Sequence, residues 1–368
     1  MKILFRISKL GFGGAEQVFL SVAKELYSTK RNEIIFVVDN DIGENVNTAK
    51  MHGFKVISLE ATRTMKSIWP LKRIIEKERP DVIISAYTDT NAACLISSFL
   101  SKFKCKVIVS EHASLHEHWA KKSKLKRLIL TFYVAYVYRL SDKVICVSNG
   151  LKNQVSSLLK ARVPIETIYN PVRFKPRNKL TSCKQEHETL QLLAVGRISE
   201  PKDYDTLIKS VQLVSQKIPV HLTIVGGVFC NNELEKLKKL VSDLKIENSI
   251  TFAGFSNDVQ HYYSSAHIFV LSSAWEGFGN VIVEAMAFGL PIISTDCNYG
   301  PAEILEHGRY GRLVPVSNST EMAKAIIRES QSPLVDKSQL IMRSTDFSES
   351  KIASQYLNTI ERTLNEEI

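Results

Sequence analysis

The sequence predicts an α/β protein with two domains in tandem, each built on a sheet of parallel strands. Short apolar segments rich in branched residues alternate with stretches of helix length along most of the chain. A polar stretch without periodicity divides these segments into two series. The chain of 368 residues also exceeds the roughly 300 residues at which a single core stops growing, so its size alone favours two domains.

The first series of predicted strands defines a domain over residues 1–172. It begins with KILFRI, which is followed by a glycine loop and by the amphipathic segment AEQVFLSVAKEL, the order of a βα unit. The other segments have the continuous apolar character of strands buried on both faces: EIIFVVD, FKVISL, DVIISA, KVIVSE and KVICVS. A parallel sheet with helical crossovers is the expected result.

A linker is predicted at residues 173–189, where RFKPRNKLTSCKQEHET interrupts all periodicity after Asn170 and Pro171. The second domain, 190–346, contains further strand candidates: LQLLAVG, VHLTIVGG, SITFAGF, HIFVLSS and PIISTD. Open α/β sheets bind ligands beyond the carboxyl ends of their strands. Two such sheets that face each other would form a binding cleft.

The composition is that of an ordinary folded enzyme from a reducing compartment. Hydrophobic residues make up 44% of the chain and charged residues 23%, which excludes a disordered or fibrous protein. The six cysteines form no C-x-x-C pair, which argues against a zinc site or a disulfide framework. The opening MKILFRISKLGFGG reaches glycines too early for a signal peptide, and the longest apolar run, 128–138, is shorter than the about 20 residues of a membrane span. We therefore expect a cytoplasmic protein that does not cross a bilayer.

Positive charge is concentrated in the first half of the chain. Residues 1–172 contain 27 basic and 15 acidic side chains, whereas residues 173–368 contain 21 and 23, and the net charge is +10. Such asymmetry indicates an anionic partner, either nucleic acid or a membrane surface with phosphate-bearing substrates. No helix-turn-helix, zinc finger or aromatic RNA platform is recognisable, so nucleic acid is not expected as a partner.

The glycine loop after the first strand is a candidate anion-binding site. Gly13 and Gly14 precede a predicted helix start, where flexible backbone and free amide groups suit phosphate. Glu16 occupies the place of the third glycine in G-x-G-x-x-G, so a dinucleotide site that uses Asp39 is disfavoured. A tight turn without a ligand is the structural alternative.

Two cations follow the first predicted strand of the second domain. Arg197 ends the segment VGR, and Lys202 comes five residues later. Both side chains can converge on a diphosphate, Arg197 as a planar fork and Lys202 as a point charge. Solvated surface charges are the alternative for each residue taken alone.

The most informative segment is SSAWEGFGNVIVEAMAFGLP, at 272–291. A strand ends before Glu276, a helix begins near Gly279 or Asn280, and Glu284 lies about one turn inside that helix. Free amides at a helix start can bind phosphate, and carboxylates accept hydrogen bonds from sugar hydroxyls. Glu284 stands among apolar residues, where a carboxylate requires a partner.

These motifs together resemble the retaining glycosyltransferases of family 4, which have the GT-B fold of two Rossmann-like domains facing each other across a cleft. The resemblance rests on segments along nearly the whole chain: GGAE, SEH, VSNG, YNPV, VGRISEPKD, EGFGNVIVEAMAFGLP and TDCNYGPAEIL. It implies that the first domain binds the acceptor and the second binds the nucleotide of an activated sugar. It also implies that the final segment, 347–368, forms a helix that packs back on the first domain.

The resemblance also implies roles for residues of the second domain. Arg197 and Lys202 would hold the diphosphate. Glu284 would hold the ribose hydroxyls, and Glu276 hydroxyls of the transferred sugar. Three residues would line the sugar and phosphate pocket with their backbone: Phe278, Gly279 and Asn280.

In the first domain, the resemblance places His112 of the SEH motif beside the transferred sugar and the glycine loop beside the donor phosphates. The substrate-binding residues expected in that loop are Gly13, Gly14 and Glu16. A metal site is the alternative for the segment around His112, which also contains Glu111, His116, Glu117 and His118. The spacing matches no H-E-x-x-H or similar pattern, so no metal is expected.

The segment 121–139 joins a run of basic residues to the apolar, tyrosine-bearing stretch LILTFYVAYVYRL. An interfacial helix on an anionic membrane surface has this pattern. A core helix behind a solvated lysine loop explains the pattern equally well, and both interpretations stay open.

The resemblance therefore predicts a retaining, metal-independent glycosyltransferase that needs no cofactor, because the nucleotide-sugar is its substrate. The favoured donor is a UDP-hexose or UDP-N-acetylhexosamine, and the favoured acceptor is a glycan on a polyprenyl pyrophosphate. Such an enzyme would be cytoplasmic and peripheral on the cytoplasmic face of the inner membrane. The alternatives are a non-catalytic sugar-nucleotide or glycan-binding module and a sugar-nucleotide epimerase.

Overall fold

The structure is a computed structural model, and it describes residues 1–11, 13–28, 32–114, 119, 123–160, 162–174, 189–228 and 231–366. The chain divides into two compact units, one of Met1–Arg173 with Ser348–Ile368 and one of Phe174–Phe347. Most of the predicted linker, 175–188, lies outside the described residues. The cleft expected between the domains stays a prediction.

The first unit contains a parallel sheet. Its strands within the described residues are β1 (Lys2–Arg6), β2 (Glu33–Val38), β3 (Lys55–Ser58), β4 (Val82–Ala86), β5 (Lys106–Glu111), β6 (Lys143–Cys146) and β7 (Ile165–Thr167). They lie in the order β3-β2-β1-β4-β5-β6-β7. The strands predicted for this domain are confirmed, and the short strand β7 is an addition to them. Ile3, Leu4 and Phe5 of β1 are fully buried, because both faces of a central parallel strand are covered.

Helices connect the strands of the first unit. Within the described residues they are α1 (Gly14–Ser28), α2 (Asn45–Met51), α3 (Ile68–Glu78), α4 (Thr88–Leu100), α5 (Lys124–Val137) and α6 (Asn149–Leu159). Val18, Val22 and Leu26 of α1 recur at helical spacing and are buried, so this face packs on the sheet. The glycine loop joins β1 to α1, as the sequence predicts.

The second unit contains another parallel sheet. Its strands within the described residues are β8 (Leu190–Val195), β9 (Val220–Val225), β10 (Ile250–Gly254), β11 (Ile268–Leu271), β12 (Ile292–Thr295) and β13 (Arg312–Val314). They lie in the order β10-β9-β8-β11-β12-β13, which confirms the predicted strands and adds β13. The described helices are α7 (Tyr204–Ser215), α8 (Asn231–Asp243), α9 (Val259–Ser265), α10 (Asn280–Ala287), α11 (Pro301–Ile304), α12 (Ser319–Gln331) and α13 (Lys337–Ser344).

The strand order reverses at one place in each sheet. β1 lies between β2 and β4 in the first sheet, and β8 lies between β9 and β11 in the second. At such a point the connections leave in opposite directions and open a crevice beyond the carboxyl ends of the strands. The candidate residues of the second unit follow β8 and β11, and those of the first unit follow β1 and β5.

The final helix, α14 (Glu349–Asn365), belongs to the first unit. Ile352, Tyr356 and Ile360 lie in the same buried cluster as Val18 and Val22 of α1. Their spacing of four residues places them on one face of the helix. The last segment of the chain therefore completes the core of the unit formed by its beginning.

No described helix is both long enough and apolar enough to span a membrane. The longest described helix, α14, has 17 residues, whereas a span requires about 20 apolar residues. The apolar run at 128–138 lies almost entirely in α5, a helix of 14 residues that begins with basic side chains.

Candidate functional site

The two predicted cations lie beyond the end of β8, at the reversal point of the second sheet. Arg197 is exposed just after the strand, and Lys202 ends a short 3-10 turn, Glu200–Lys202. The Lys202 side chain passes over Gly196, where an added Cβ atom would lie 2.9 Å from Lys202 Cε. A glycine at position 196 therefore leaves room for the lysine to reach across the end of the sheet.

The structure brings Lys202 and Glu276 into direct contact. Nζ of Lys202 lies 2.6 Å from Oε1 of Glu276, and the Ser273 hydroxyl donates to the same oxygen at 2.7 Å. The side chains of the ion pair are only 18% and 13% exposed, so salt screens their attraction weakly. The sequence places both residues at the site but does not predict their contact.

Hydrogen bonds join the two loops that carry this ion pair. The Ser272 hydroxyl donates to the Lys202 carbonyl at 2.7 Å. The Ala274 amide donates to the Pro201 carbonyl at 2.8 Å. These hydrogen bonds hold together the loops that follow β8 and β11, and they fix the relative positions of the two residues of the ion pair.

Glu284 lies inside α10 and is buried. The Tyr263 hydroxyl of α9 donates to its Oε2 at 2.9 Å. The ring of Tyr263 stacks on Phe288, with 5.3 Å between the centroids, which fixes the direction of the hydroxyl. Tyr263 is thus a partner of the kind that the apolar setting of Glu284 requires.

The loop before α10 turns sharply into the helix. Gly279 has a φ of +100°, which L side chains rarely adopt, and Asn280 is the first helical residue. The ring of Phe278 is buried against Phe347, with 5.7 Å between the centroids, so its side chain is not available to a ligand. Gly300, in TDCNYGPAEIL, packs against this loop, because a Cβ atom there would lie 1.8 Å from the Phe278 carbonyl oxygen.

In the first unit, the glycine loop packs against the buried carboxylate of Glu16. A Cβ atom at Gly13 would lie 2.2 Å from Oε2 of Glu16, and Gly14 begins α1. Glu16 is buried, and the Tyr87 hydroxyl donates to its Oε2 at 2.7 Å. Tyr87 directly follows β4, so this contact joins the first turn of α1 to the end of β4 at the reversal point of the first sheet.

His112 directly follows β5. Its Nε2 lies 2.9 Å from the Ser110 hydroxyl, and its Nδ1 is buried without a hydrogen-bond partner among the described residues. The ring meets Phe19 edge-on, with 5.9 Å between the centroids. Burial lowers the pKa of the His112 imidazole to about 3, so the ring is neutral near pH 7. A neutral imidazole can bind an uncharged hydroxyl but cannot offset a phosphate charge.

Glu111, beside His112, is held in a buried hydrogen-bond network. It accepts from the Tyr138 hydroxyl and, at 3.1 Å, from the Asn91 amide. Burial raises the pKa of the Glu111 carboxyl from 4.5 to about 7, and these donors lower it less. The other residues of the metal alternative, at 116–118, lie outside the described residues.

Asp39 is engaged by the core and not by the glycine loop. Its carboxylate pairs with the fully buried Arg6 and accepts from the Thr64 hydroxyl at 2.9 Å. Arg6 also donates to the Ser67 hydroxyl at 3.0 Å. Removing Asp39 from this pair would leave a buried guanidinium uncompensated, so the structure favours a structural role over the ribose-binding role of a dinucleotide site.

Several residues around the site are not among the sequence predictions: Tyr87, Tyr138, Tyr263 and Ser273. Each acts through a hydroxyl group that donates to a carboxylate. The three tyrosines have partners more than 20 positions away in the sequence, so local spacing does not mark them. Tyr87 and Ser273 lie within two residues of a strand end, and a survey of hydroxyl residues at strand ends would have found them.

Comparison with known proteins decides the family. The family model described as Glycosyltransferase Family 4 matches residues 12–175, and the model described as Glycosyl transferases group 1 matches residues 180–342. An uncharacterized glycosyltransferase of Haemophilus influenzae is 30% identical over 96% of this chain and 98% of its own length. The chain belongs to glycosyltransferase family 4.

Further similarities extend over the whole glycosyltransferase. A Campylobacter jejuni protein is 22% identical over 95% of this chain and 97% of its own length. That relative is named N-acetylgalactosamine-N,N'-diacetylbacillosaminyl-diphospho-undecaprenol 4-alpha-N-acetylgalactosaminyltransferase. The crystal structure of Anabaena HepE in complex with UDP-glucose has a TM-score of 0.81 and 22% identity, and the match covers 98% of this chain and 100% of that chain. The glycosyltransferase has the GT-B fold that the sequence predicts.

Proposed function

We propose that this glycosyltransferase moves a sugar from a nucleoside diphosphate to a hydroxyl of a glycan acceptor, with retention of the anomeric configuration. The second unit binds the nucleotide-sugar in this proposal, and the first unit binds the acceptor. The observation that carries it is the connected edge of the second sheet, where Lys202 and Glu276 form an ion pair ahead of the helix that contains Glu284.

Positive charge at this edge suits the departing diphosphate. Negative charge grows on the diphosphate as the glycosidic bond opens, so Arg197 and Lys202 stabilise the transition state more than the ground state. The first amides of α10, at Asn280, can add hydrogen bonds to the same group. These groups supply the charge for which other sugar transferases use a cation, and we propose that neither a metal ion nor a cofactor takes part.

Carboxylates at the same edge suit the hydroxyl groups of the donor. Glu276 would accept hydrogen bonds from the transferred sugar through the oxygen that Lys202 and Ser273 leave free. Glu284, fixed by Tyr263, would accept from the ribose. Rigid acceptors of this kind orient the donor at little entropic cost, because the protein holds their geometry before the ligand binds.

Retention is expected from attack on the face that the leaving group occupies. The bond between the anomeric carbon and the diphosphate oxygen breaks while the acceptor oxygen bonds to the same carbon. The departing phosphate takes the proton of the acceptor hydroxyl, so the reaction needs no base from the protein. His112 would bind a hydroxyl of the transferred sugar as a neutral ring, without adding charge.

The names of the relatives support a choice of substrates. HepE has been crystallised with UDP-glucose, and the Campylobacter jejuni relative is named for transfer of N-acetylgalactosamine to a diphospho-undecaprenol-linked sugar. We therefore propose a UDP-hexose or UDP-N-acetylhexosamine as donor and a polyprenyl-pyrophosphate-linked glycan as acceptor, in bacterial surface-glycan synthesis. An enzyme with such an acceptor would work on the cytoplasmic face of the inner membrane as a peripheral protein.

The test is transfer by the purified chain from a panel of UDP-sugars to a lipid-linked glycan, with the product anomer read by nuclear magnetic resonance. We expect one donor to yield a glycoside with the anomeric configuration of the donor. An inverted product would refute retention. Binding of the donor with neither transfer nor slow hydrolysis would instead indicate a non-catalytic module, and release of an isomerised sugar-nucleotide would indicate an epimerase.

A further inference from the structure

Helix α5 has a buried face and an opposite face that is apolar but exposed. Val134 and Val137 are its buried residues. The exposed face carries large apolar side chains: Leu125 (68% exposed), Leu128 (55%), Ile129 (57%), Phe132 (67%) and Tyr136 (72%). A monomeric soluble surface rarely collects so many large apolar side chains in one contiguous patch.

The spacing of these residues forms a continuous stripe. Positions 125, 128, 129, 132 and 136 lie within about a third of the helix circumference at about 100° per residue. Val134 lies about half a turn from the middle of this stripe. The protein core therefore covers one side of the helix, and the apolar side chains of the opposite side are exposed to solvent. We call the stripe of five side chains the α5 face.

Basic side chains flank the α5 face. Lys124 and Lys126 both belong to the first turn of the helix and lie about 100° to either side of Leu125. Both are exposed, and both can reach past the apolar stripe with their charged ends. An apolar stripe between flanking lysines matches a lipid surface with anionic headgroups. The apolar side chains can insert among the acyl chains, and the lysines can pair with the lipid phosphates.

We propose that the α5 face is the surface by which this glycosyltransferase docks on an anionic membrane. The charge complementarity of the first half, with 27 basic and 15 acidic residues over 1–172, favours lipid over a second copy of the same basic chain. The end of the helix also lies close to His112 of the first unit. Tyr138, the residue after α5, donates to Glu111, and Glu111 adjoins His112 at the end of β5.

The docking proposal rests on the membrane location proposed above, but docking itself requires neither donor nor acceptor. Vesicle binding and sugar transfer can therefore succeed or fail separately. The experiment is flotation of the full chain with vesicles of phosphatidylglycerol, and in parallel with vesicles of phosphatidylcholine, at low and high salt. Transfer to a water-soluble acceptor is measured on the same variants.

The variant that tests the apolar stripe is Leu128→Glu with Phe132→Glu. Its matched control is Met51→Glu with Met342→Glu, which makes the same change at side chains that are 88% and 71% exposed elsewhere. We expect the α5 variant to lower partitioning into phosphatidylglycerol vesicles at least about thirtyfold, and the control to leave it unchanged. Lys124→Gln with Lys126→Gln should lower it about thirtyfold, from about 1 kcal/mol for each lysine, and weaken the salt dependence.

Four results would overturn the proposal. The first is failure of the native chain to float with phosphatidylglycerol vesicles, and the second is equal flotation with phosphatidylcholine at all salt concentrations. The third is equal flotation of the α5 variant and its control while circular dichroism shows both folded. The fourth is a dimer of the native chain, seen by light scattering, that the α5 variant loses, which would assign the face to a second copy.

Discussion

Nζ of Lys202 lies 2.6 Å from Oε1 of Glu276, so a cation that follows β8 and a carboxylate that follows β11 neutralise each other across the reversal point of the second sheet. Neither side chain is more than one-fifth exposed. Each charge therefore depends on the other for its stability, and the removal of one leaves the second poorly solvated. The same two residues are therefore expected to affect both sugar transfer and the free energy of unfolding, and substitutions can separate these two effects.

Single and double substitutions of the ion pair should separate those two roles. Lys202→Met and Glu276→Gln should each lower transfer at least about 100-fold, because each removes a group to which we assign donor binding. Lys202→Met alone should also lower the free energy of unfolding by about 1 to 3 kcal/mol, since Glu276 loses its partner. The double variant should regain stability without regaining activity, as measured by thermal unfolding and by a transfer assay.

The exposed ion pair of Lys238 and Glu235 provides the control for this experiment. Nζ of Lys238 lies 3.0 Å from Oε1 of Glu235, but both side chains are mostly exposed. Lys238→Met should therefore change neither the transfer activity nor the free energy of unfolding. Full transfer activity in Lys202→Met would rule out the proposed diphosphate role of that lysine.

Tyr263→Phe should weaken nucleotide binding without unfolding the protein. The change removes the hydroxyl that donates to Glu284 at 2.9 Å and keeps the ring that stacks on Phe288. We expect the Kd for free UDP to rise about fivefold to tenfold, the usual value of one buried hydrogen bond. Tyr262→Phe, on the same helix, is the calorimetric control, because no hydrogen bond of its hydroxyl is found among the described residues. Equal affinities in the two variants would exclude a contribution of Tyr263 through Glu284.

Gly300→Ala should destabilise the second unit far more than Gly308→Ala. Both glycines have a φ of +100°, which L side chains rarely adopt, so both substitutions strain the backbone. Only at Gly300 would the new Cβ atom lie 1.8 Å from a backbone oxygen, that of Phe278. We expect a loss of at least about 3 kcal/mol for Gly300→Ala and about 1 kcal/mol for Gly308→Ala, measured by denaturant titration. Similar losses would mean that the loop before α10 can move aside.

The stability of the first unit should depend on the titration of Glu111. Its pKa in the folded protein, about 7, lies above the usual 4.5, so the folded state keeps a proton that the unfolded state releases. Stability therefore falls as the pH rises from 4.5 to 7, and the loss is complete above 7. Glu111→Gln lacks this loss, so the stability of the variant relative to the native chain should rise over the same interval by on the order of 3 kcal/mol.

Denaturant titrations at about pH 5 and about pH 8 measure this difference. Glu361→Gln, at an exposed position of α14, is the matched control. A difference between the Glu111→Gln and native chains that does not change with pH would show that the Glu111 carboxyl is ionised throughout or is solvated in the folded protein.

Apolar periodicity predicts the strands that form the centre of both sheets, because strands buried on both faces need continuous apolar sequence. It misses β7 and β13, whose three residues each, IET and RLV, include a charged side chain and lie at sheet edges. A short edge strand buries too little surface to require an apolar run. The glycine and glutamate motifs likewise indicate the candidate site residues along the chain, and their roles stay a prediction.

The contacts within the site depend on residues that are distant in the sequence. Lys202 and Glu276 are 74 positions apart, and Tyr87 and Glu16 are 71 apart. In each unit, the sheet brings the two residues together by placing its first strand beside its fourth. A local sequence pattern does not predict this pairing of strands. The neutral state of His112 has the same origin, since its desolvation comes from packing against residues such as Phe19.

The most direct test of the central claim is calorimetric titration of UDP, GDP and dTDP into the native glycosyltransferase and into Glu284→Ala. We expect one nucleotide to fill a single site per chain and to bind the variant at least about tenfold more weakly. If no nucleotide binds the native chain, or if the variant binds as tightly, the edge formed by β8, β11 and α10 does not hold the donor.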